Sequence, residues 1–102
     1  MAISRCKLLA LSLLLSAAAY AEPTWHRDVS RIVQAKCQGC HRPDDIAPFP
    51  LMEYSDAVQR ALAIKSVIER GIMPPWKPVE GHGRFKGSYA LAEDERVTIL
   101  SW

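Results

Sequence analysis

Cysteine is scarce in this chain: of 102 residues only Cys6, Cys37 and Cys40 are of that type. Cys6 falls within what reads as an export signal, which leaves a single pair with two residues between its members and no disulfide framework to expect, even in an oxidising compartment. A surplus of charge is also missing. All 11 acidic residues lie beyond Ala21, and so do all basic residues except Arg5 and Lys7, so residues 22–102 sum to zero. That balance argues against a nucleic-acid partner. The longest apolar run, Leu8–Ala18, is too short to span a bilayer comfortably. Residues 22–102 contain no strand-like alternation, internal repeat or low-complexity tract, and no nucleophile triad or phosphate-cradling loop.

What is present begins with the signal. Arg5 and Lys7 form a positive n-region, Leu8–Ala18 the apolar segment, and Ala19, Tyr20 and Ala21 an AxA cleavage site. Residues 1–21 are therefore expected to be a signal peptide and residues 22–102 one small exported domain, with no stable membrane insertion after cleavage. A domain of that size lies near the limit at which a hydrophobic core alone gives a stable fold.

Cys37, Gln38, Gly39, Cys40 and His41 spell CxxCH. Each thiol can add across one haem vinyl group, and the adjacent histidine can reach the iron from the same side. On a helical turn positions i, i+3 and i+4 share one face, so all three side chains would meet one macrocycle. A zinc site would need two further ligands, with His26, His41 and His82 at no recognised finger spacing. A thioredoxin-type pair would need a preceding strand, whereas the residues before Cys37 read as helix.

Trp25, Val29, Ile32, Val33, Cys37 and Cys40 recur at three- and four-residue steps, predicting a first helix over Thr24–Cys40 with Thr24 as N-cap and Asp28 favouring its positive end. Pro43, Pro48 and Pro50 exclude regular helix until Leu51. A second helix is expected over Ser55–Arg70, with Val58, Ala61, Leu62, Ile64, Lys65 and Ile68 on its core face and Gly71 as its stop. A third is expected over Leu91–Trp102, with Val97, Ile99, Leu100 and Trp102 inward. The fold class is all-α, three main helices wrapped around a haem.

A histidine-ligated iron has a sixth position that a thioether can close. Met73 is the preferred ligand because Pro74 and Pro75 stiffen its approach; His82, on a loop between two glycines, is the rival, and Met52 is expected to pack under the proline loop. Trp76 has two open roles, a propionate contact through its indole N–H or simple packing.

The succession helix, CxxCH, proline loop, helix, MPP and a final tryptophan-containing helix resembles the small bacterial class I cytochromes c. WHRDVSRIVQAKCQGCHRPDDIAPFPL and ERGIMPPW look still more like a cytochrome module found in some exported bacterial proteins, where it is fused to a second redox domain. The resemblance covers Trp25 to Trp102. It implies one haem c per chain held by Cys37 and Cys40, with His41 proximal and Met73 distal. It also implies a loop proline whose carbonyl accepts the His41 N–H, Pro48 by spacing with Pro50 second.

The expected function is periplasmic electron transfer without catalysis, to redox protein partners through a transient interface at the exposed haem edge. The alternative is an open-site haem protein, a gas sensor or peroxidase-like enzyme, in which Met73 only packs. Three departures from the resembling module stand out: a long glycine-containing segment after Met73, which would cover the haem edge or touch a partner, Ala92 where a capping side chain is usual, and Arg96 at a normally apolar position. Helix 3 also stops at Trp102 where related chains continue, and the sequence is expected to be part of a longer protein.

Overall fold

Thr24 opens the first helix as the sequence requires. Its hydroxyl accepts the Arg27 N–H at 3.3 Å while the Asp28 carboxylate accepts the Thr24 N–H at 2.8 Å, satisfying two donors at this helix end reciprocally. The Thr24 N–H, helped by the Arg27 guanidinium, holds the Asp28 carboxyl below its usual range. The computed structural model describes residues 21–76, 78, 79 and 81–102, so the expected signal peptide, Ala21 apart, lies outside the described residues.

A π-helical turn at Trp25–Val29 feeds α1, Ser30–Lys36; α2 spans Tyr54–Val58, α3 Ala61–Glu69 and α4 Glu93–Ser101. Among the described residues there is no strand, in keeping with the all-α expectation, and no helix long and apolar enough to cross a membrane. The first helix ends at Lys36, short of Cys40. The N–H groups of Cys37 and Gln38 both take the Val33 carbonyl, at 2.9 and 3.0 Å, and Gly39, a poor helix former, follows.

The second helix is two. Arg60 sits at φ −116°, ψ 13°, outside helical geometry, and separates α2 from α3. This break changes the angular register, so the stripe expected of one continuous helix does not hold. Leu62 is 86% exposed and Val58 is also exposed, while Ile64 and Ile68 pack inward together with Ala57 of α2.

The core gathers Trp25, Val29 and Val33 from the first helix with Leu51, Ala57, Ile68 and Ile99. The rings of Trp25, Tyr54 and Trp102 lie 5.7 to 6.3 Å apart and join the two ends of the domain to α2. On α4 Ile99 is buried, but Val97, expected inward, is 50% exposed. Arg96 is half-buried and its guanidinium reaches the Glu93 carboxylate at 3.5 Å, so a charged residue is accommodated there.

Ala92 is the N-cap of α4, in extended geometry and without a capping side chain; the Glu95 carboxylate accepts its N–H at 2.9 Å, which supplies half of a capping box. Ala92→Ser provides the missing half. It is expected to stabilise the protein by about 1 kcal/mol, read as a higher urea midpoint at unchanged slope.

Candidate functional site

Helix α1 runs directly into the CxxCH segment. The N–H groups of Cys40 and His41 both converge on the Cys37 carbonyl, at 3.2 and 2.9 Å, which preserves one helical turn and keeps residues 37, 40 and 41 on one face. The chain then reverses. Asp44 adopts a left-handed φ of 58°, which aspartate tolerates better than most residues. The Asp45 carboxylate accepts the Ile46 N–H and the Arg42 Nε–H, each at 2.7 Å, and these bonds hold its carboxyl below the usual range.

Three bonds draw the returning loop back against CxxCH. The Ala47 N–H reaches the Cys40 carbonyl at 3.3 Å, the Leu51 N–H the His41 carbonyl at 2.9 Å, and Gln38 Nε2 the Leu51 carbonyl at 3.0 Å. Phe49 is thereby set against His41, with ring centroids 4.7 Å apart and the Phe49 carbonyl 3.0 Å from His41 Nδ1. A carbonyl only accepts, so Nδ1 is the donor, and in the neutral ring the lone pair lies on Nε2.

The acceptor is thus Phe49, neither Pro48 nor Pro50, and Pro48 contributes instead to the cleft wall. Prolines fix φ but not which carbonyl a loop turns toward a neighbour; here the flanking backbone bonds decide it. A signal was available, because the residue before a proline is held extended and its carbonyl is freed from local helical bonding.

Met73 is placed from the other side. Gly71, at φ 68°, ends α3: its N–H bonds the Ile68 carbonyl at 3.1 Å and the Ile72 N–H bonds the Val67 carbonyl at 2.8 Å, the paired bonds of a Schellman stop. The Met73 N–H also reaches Val67 O, at 3.3 Å, and Pro74 and Pro75 prevent any return to helix.

Cys37, Cys40, His41 and Met73 line one cleft of about 290 Å³, whose remaining wall is largely aliphatic, from Leu51, Ile64, Val67, Ile68 and Ile99. Lys36 and Arg60 bring positive charge to the same lining. The end of the long segment after Met73 forms part of the wall through Tyr89 and Leu91. Tyr89 crosses so close to Gly39 that a Cβ there would lie 2.6 Å from its hydroxyl, which gives the middle of CxxCH a steric need for glycine. Lys36 Nζ donates to the Ser88 carbonyl at 3.2 Å and lies 3.9 Å from Glu95, tying this segment and α4 to α1.

The other expected residues lie elsewhere. Trp76 packs edge-on to Phe85 and Tyr89, both at 6.1 Å, and is not on the cleft lining. His82 is exposed and does not line the cleft. Met52 is likewise exposed, with its N–H bonded to Asp56, and does not pack under the proline loop.

Burial pushes the Cys37 thiol up from 9.0 to about 11. Among the described residues no group of three or more His, Cys, Asp or Glu is arranged to hold a metal ion. Comparison with family models, curated proteins and solved structures finds no match.

Proposed function

We propose that the chain is an exported, periplasmic electron carrier with one haem c, bound covalently through Cys37 and Cys40 and ligated by His41 and Met73, acting as a free carrier or an electron-entry domain. The observation that carries this reading is an apolar cleft into which CxxCH and the Met–Pro–Pro segment, 32 positions apart from His41 to Met73, are brought together. Its volume is near the lower end of the roughly 300–1000 Å³ usual for cofactor and ligand pockets. The residues fit the group: two thiols, an imidazole with a free Nε2 lone pair, a thioether, and aliphatic walls.

When bound, the haem supplies a one-electron ferrous/ferric couple. The chain supplies everything else. The Phe49 carbonyl fixes the His41 tautomer and ring orientation. Met73 would hold the iron with its thioether and deny that site to oxygen or peroxide, and the aliphatic wall would limit water around the group. Redox proteins are the partners, through a small transient interface. A dithiol role is disfavoured because redox-active CxxC pairs need a lowered thiol pKa, and burial moves Cys37 the opposite way.

The test is protein from cells able to attach haem covalently. It is expected to be red, to gain the mass of one haem, to resist carbon monoxide when reduced and to show the far-red band of methionine ligation when oxidised. Prompt stoichiometric carbon monoxide binding would favour the open-site sensor or peroxidase-like alternative. Colourless protein would return the CxxC pair to zinc or dithiol chemistry.

A further inference from the structure

Arg60 interrupts the helix that the sequence would otherwise continue, and its guanidinium lies over the Phe49 ring, 4.1 Å from the centroid. It is half-buried on the cleft lining, and among the described residues no carboxylate is within ion-pair distance of it. Withdrawing a guanidinium from water costs free energy that the quadrupole of one aromatic ring offsets only in part. Its companion cation Lys36 is different, being bonded to Ser88 and close to Glu95. The same Phe49 ring packs 4.7 Å from the His41 ring, and the Phe49 carbonyl takes the Nδ1 proton. Contacts of 4.1 and 4.7 Å put the guanidinium within about 9 Å of the imidazole.

We infer that Arg60 is a positioning residue for His41, acting through Phe49, and that its positive charge favours the reduced state of the site. The inference rests on the haem reading above. Stacked on one face of Phe49, the guanidinium keeps the ring from turning away from the His41 ring and so restricts the orientation of the imidazole, while the flanking backbone bonds hold the carbonyl. Its charge also opposes the additional positive charge of ferric iron. In the step concerned one electron enters from a protein or chemical donor, no bond forms or breaks, and no proton moves. A side chain facing solvent would contribute little to this; one on the lining of an apolar cleft is poorly screened.

The experiment is a redox titration of the haem-loaded protein carrying Arg60→Met, Arg60→Lys or Phe49→Leu, the last keeping the carbonyl. Arg60→Met is expected to lower the ferrous-to-ferric ratio at fixed ambient potential about fivefold, and Arg60→Lys to recover most of that loss. Phe49→Leu is expected to lower it too, with the Arg60→Met/Phe49→Leu double variant no lower than the more affected single one. An unchanged ratio in Arg60→Met with methionine ligation intact overturns the inference, as do additive effects. A purely structural role would lower the thermal midpoint and leave the ratio alone. If Arg60→Met does not accumulate, Phe49→Leu reads the same route, and an unchanged ratio there is equally fatal. Failure of the parent reading looks different: the unmutated protein is colourless or binds carbon monoxide.

Discussion

Replacing Met73 by alanine is expected to convert a haem protein that resists carbon monoxide into one that binds it stoichiometrically on reduction. The same change should abolish the far-red band of the oxidised form and lower the potential by on the order of 0.1 V, a fraction of the roughly 0.8 V that axial ligands span. The reasoning starts from the backbone. Gly71 ends α3 in a Schellman stop, Met73 hangs its own N–H on Val67 O, and two prolines follow, so the thioether is delivered to the cleft by constraints that survive its removal. Alanine leaves those constraints in place and removes only the sulfur. Met73 is 38% exposed, so the packing loss is small, about 1 kcal/mol, and the ligand effect is read in a protein that still folds. Met52→Ala and His82→Ala are the controls, since neither residue lines the cleft. A Met73→Ala protein that still refuses carbon monoxide would take the sixth position away from Met73.

Much of the site is legible in the chain because its parts are local. CxxCH carries its geometry in its spacing, and the proline pair after Met73 announces a stiffened segment at the end of a helix that Gly71 visibly stops. The readings that fail depend on long-range packing. Nothing in the periodicity of residues 55–70 marks Arg60 as a break, because an arginine in a helical stretch reads as a solvated position. Its guanidinium stacks on Phe49, which lies 11 positions earlier and reaches it only once the loop has folded back. Leu62 was placed inward by a period that the break interrupts. Val97 fails differently, since α4 turns Ile99 into the core with Leu100 and Trp102 packed beside it and leaves Val97 exposed. Tyr89 carries no signal at all, as its role depends on how the long segment after Met73 returns over Gly39.

Chain made without haem attachment, as in a Cys37→Ser/Cys40→Ser variant, is expected to be largely unfolded, giving a poorly dispersed amide spectrum and no cooperative thermal transition. Around the buried Leu51, Ile68 and Ile99, the cleft wall holds apolar side chains that the chain itself covers only in part: Phe49, Ile64, Val67 and Leu91 are half-buried and Met73 is 38% exposed. Large aliphatic side chains contribute about 1.5–3 kcal/mol each when fully buried. Incomplete burial of several such side chains therefore forfeits an amount comparable to the roughly 5 kcal/mol that holds many small domains together. The helices cannot make up the loss. With 7, 5, 9 and 9 residues, α1 to α4 all fall below the roughly 12–15 at which an isolated helix is even marginal. No disulfide is available either, because the variant has no cysteine left among residues 22–102. What remains is Trp25, Val29, Val33 and Ala57, with the ring cluster of Tyr54 and Trp102 beside them. That cluster joins the first helix to α2 and α4 but leaves α3, and with it Met73, without a filled interior to pack on. A dispersed, native-like spectrum from the haem-free variant would mean that this cluster suffices, and that haem is a ligand of a finished fold instead of part of its core.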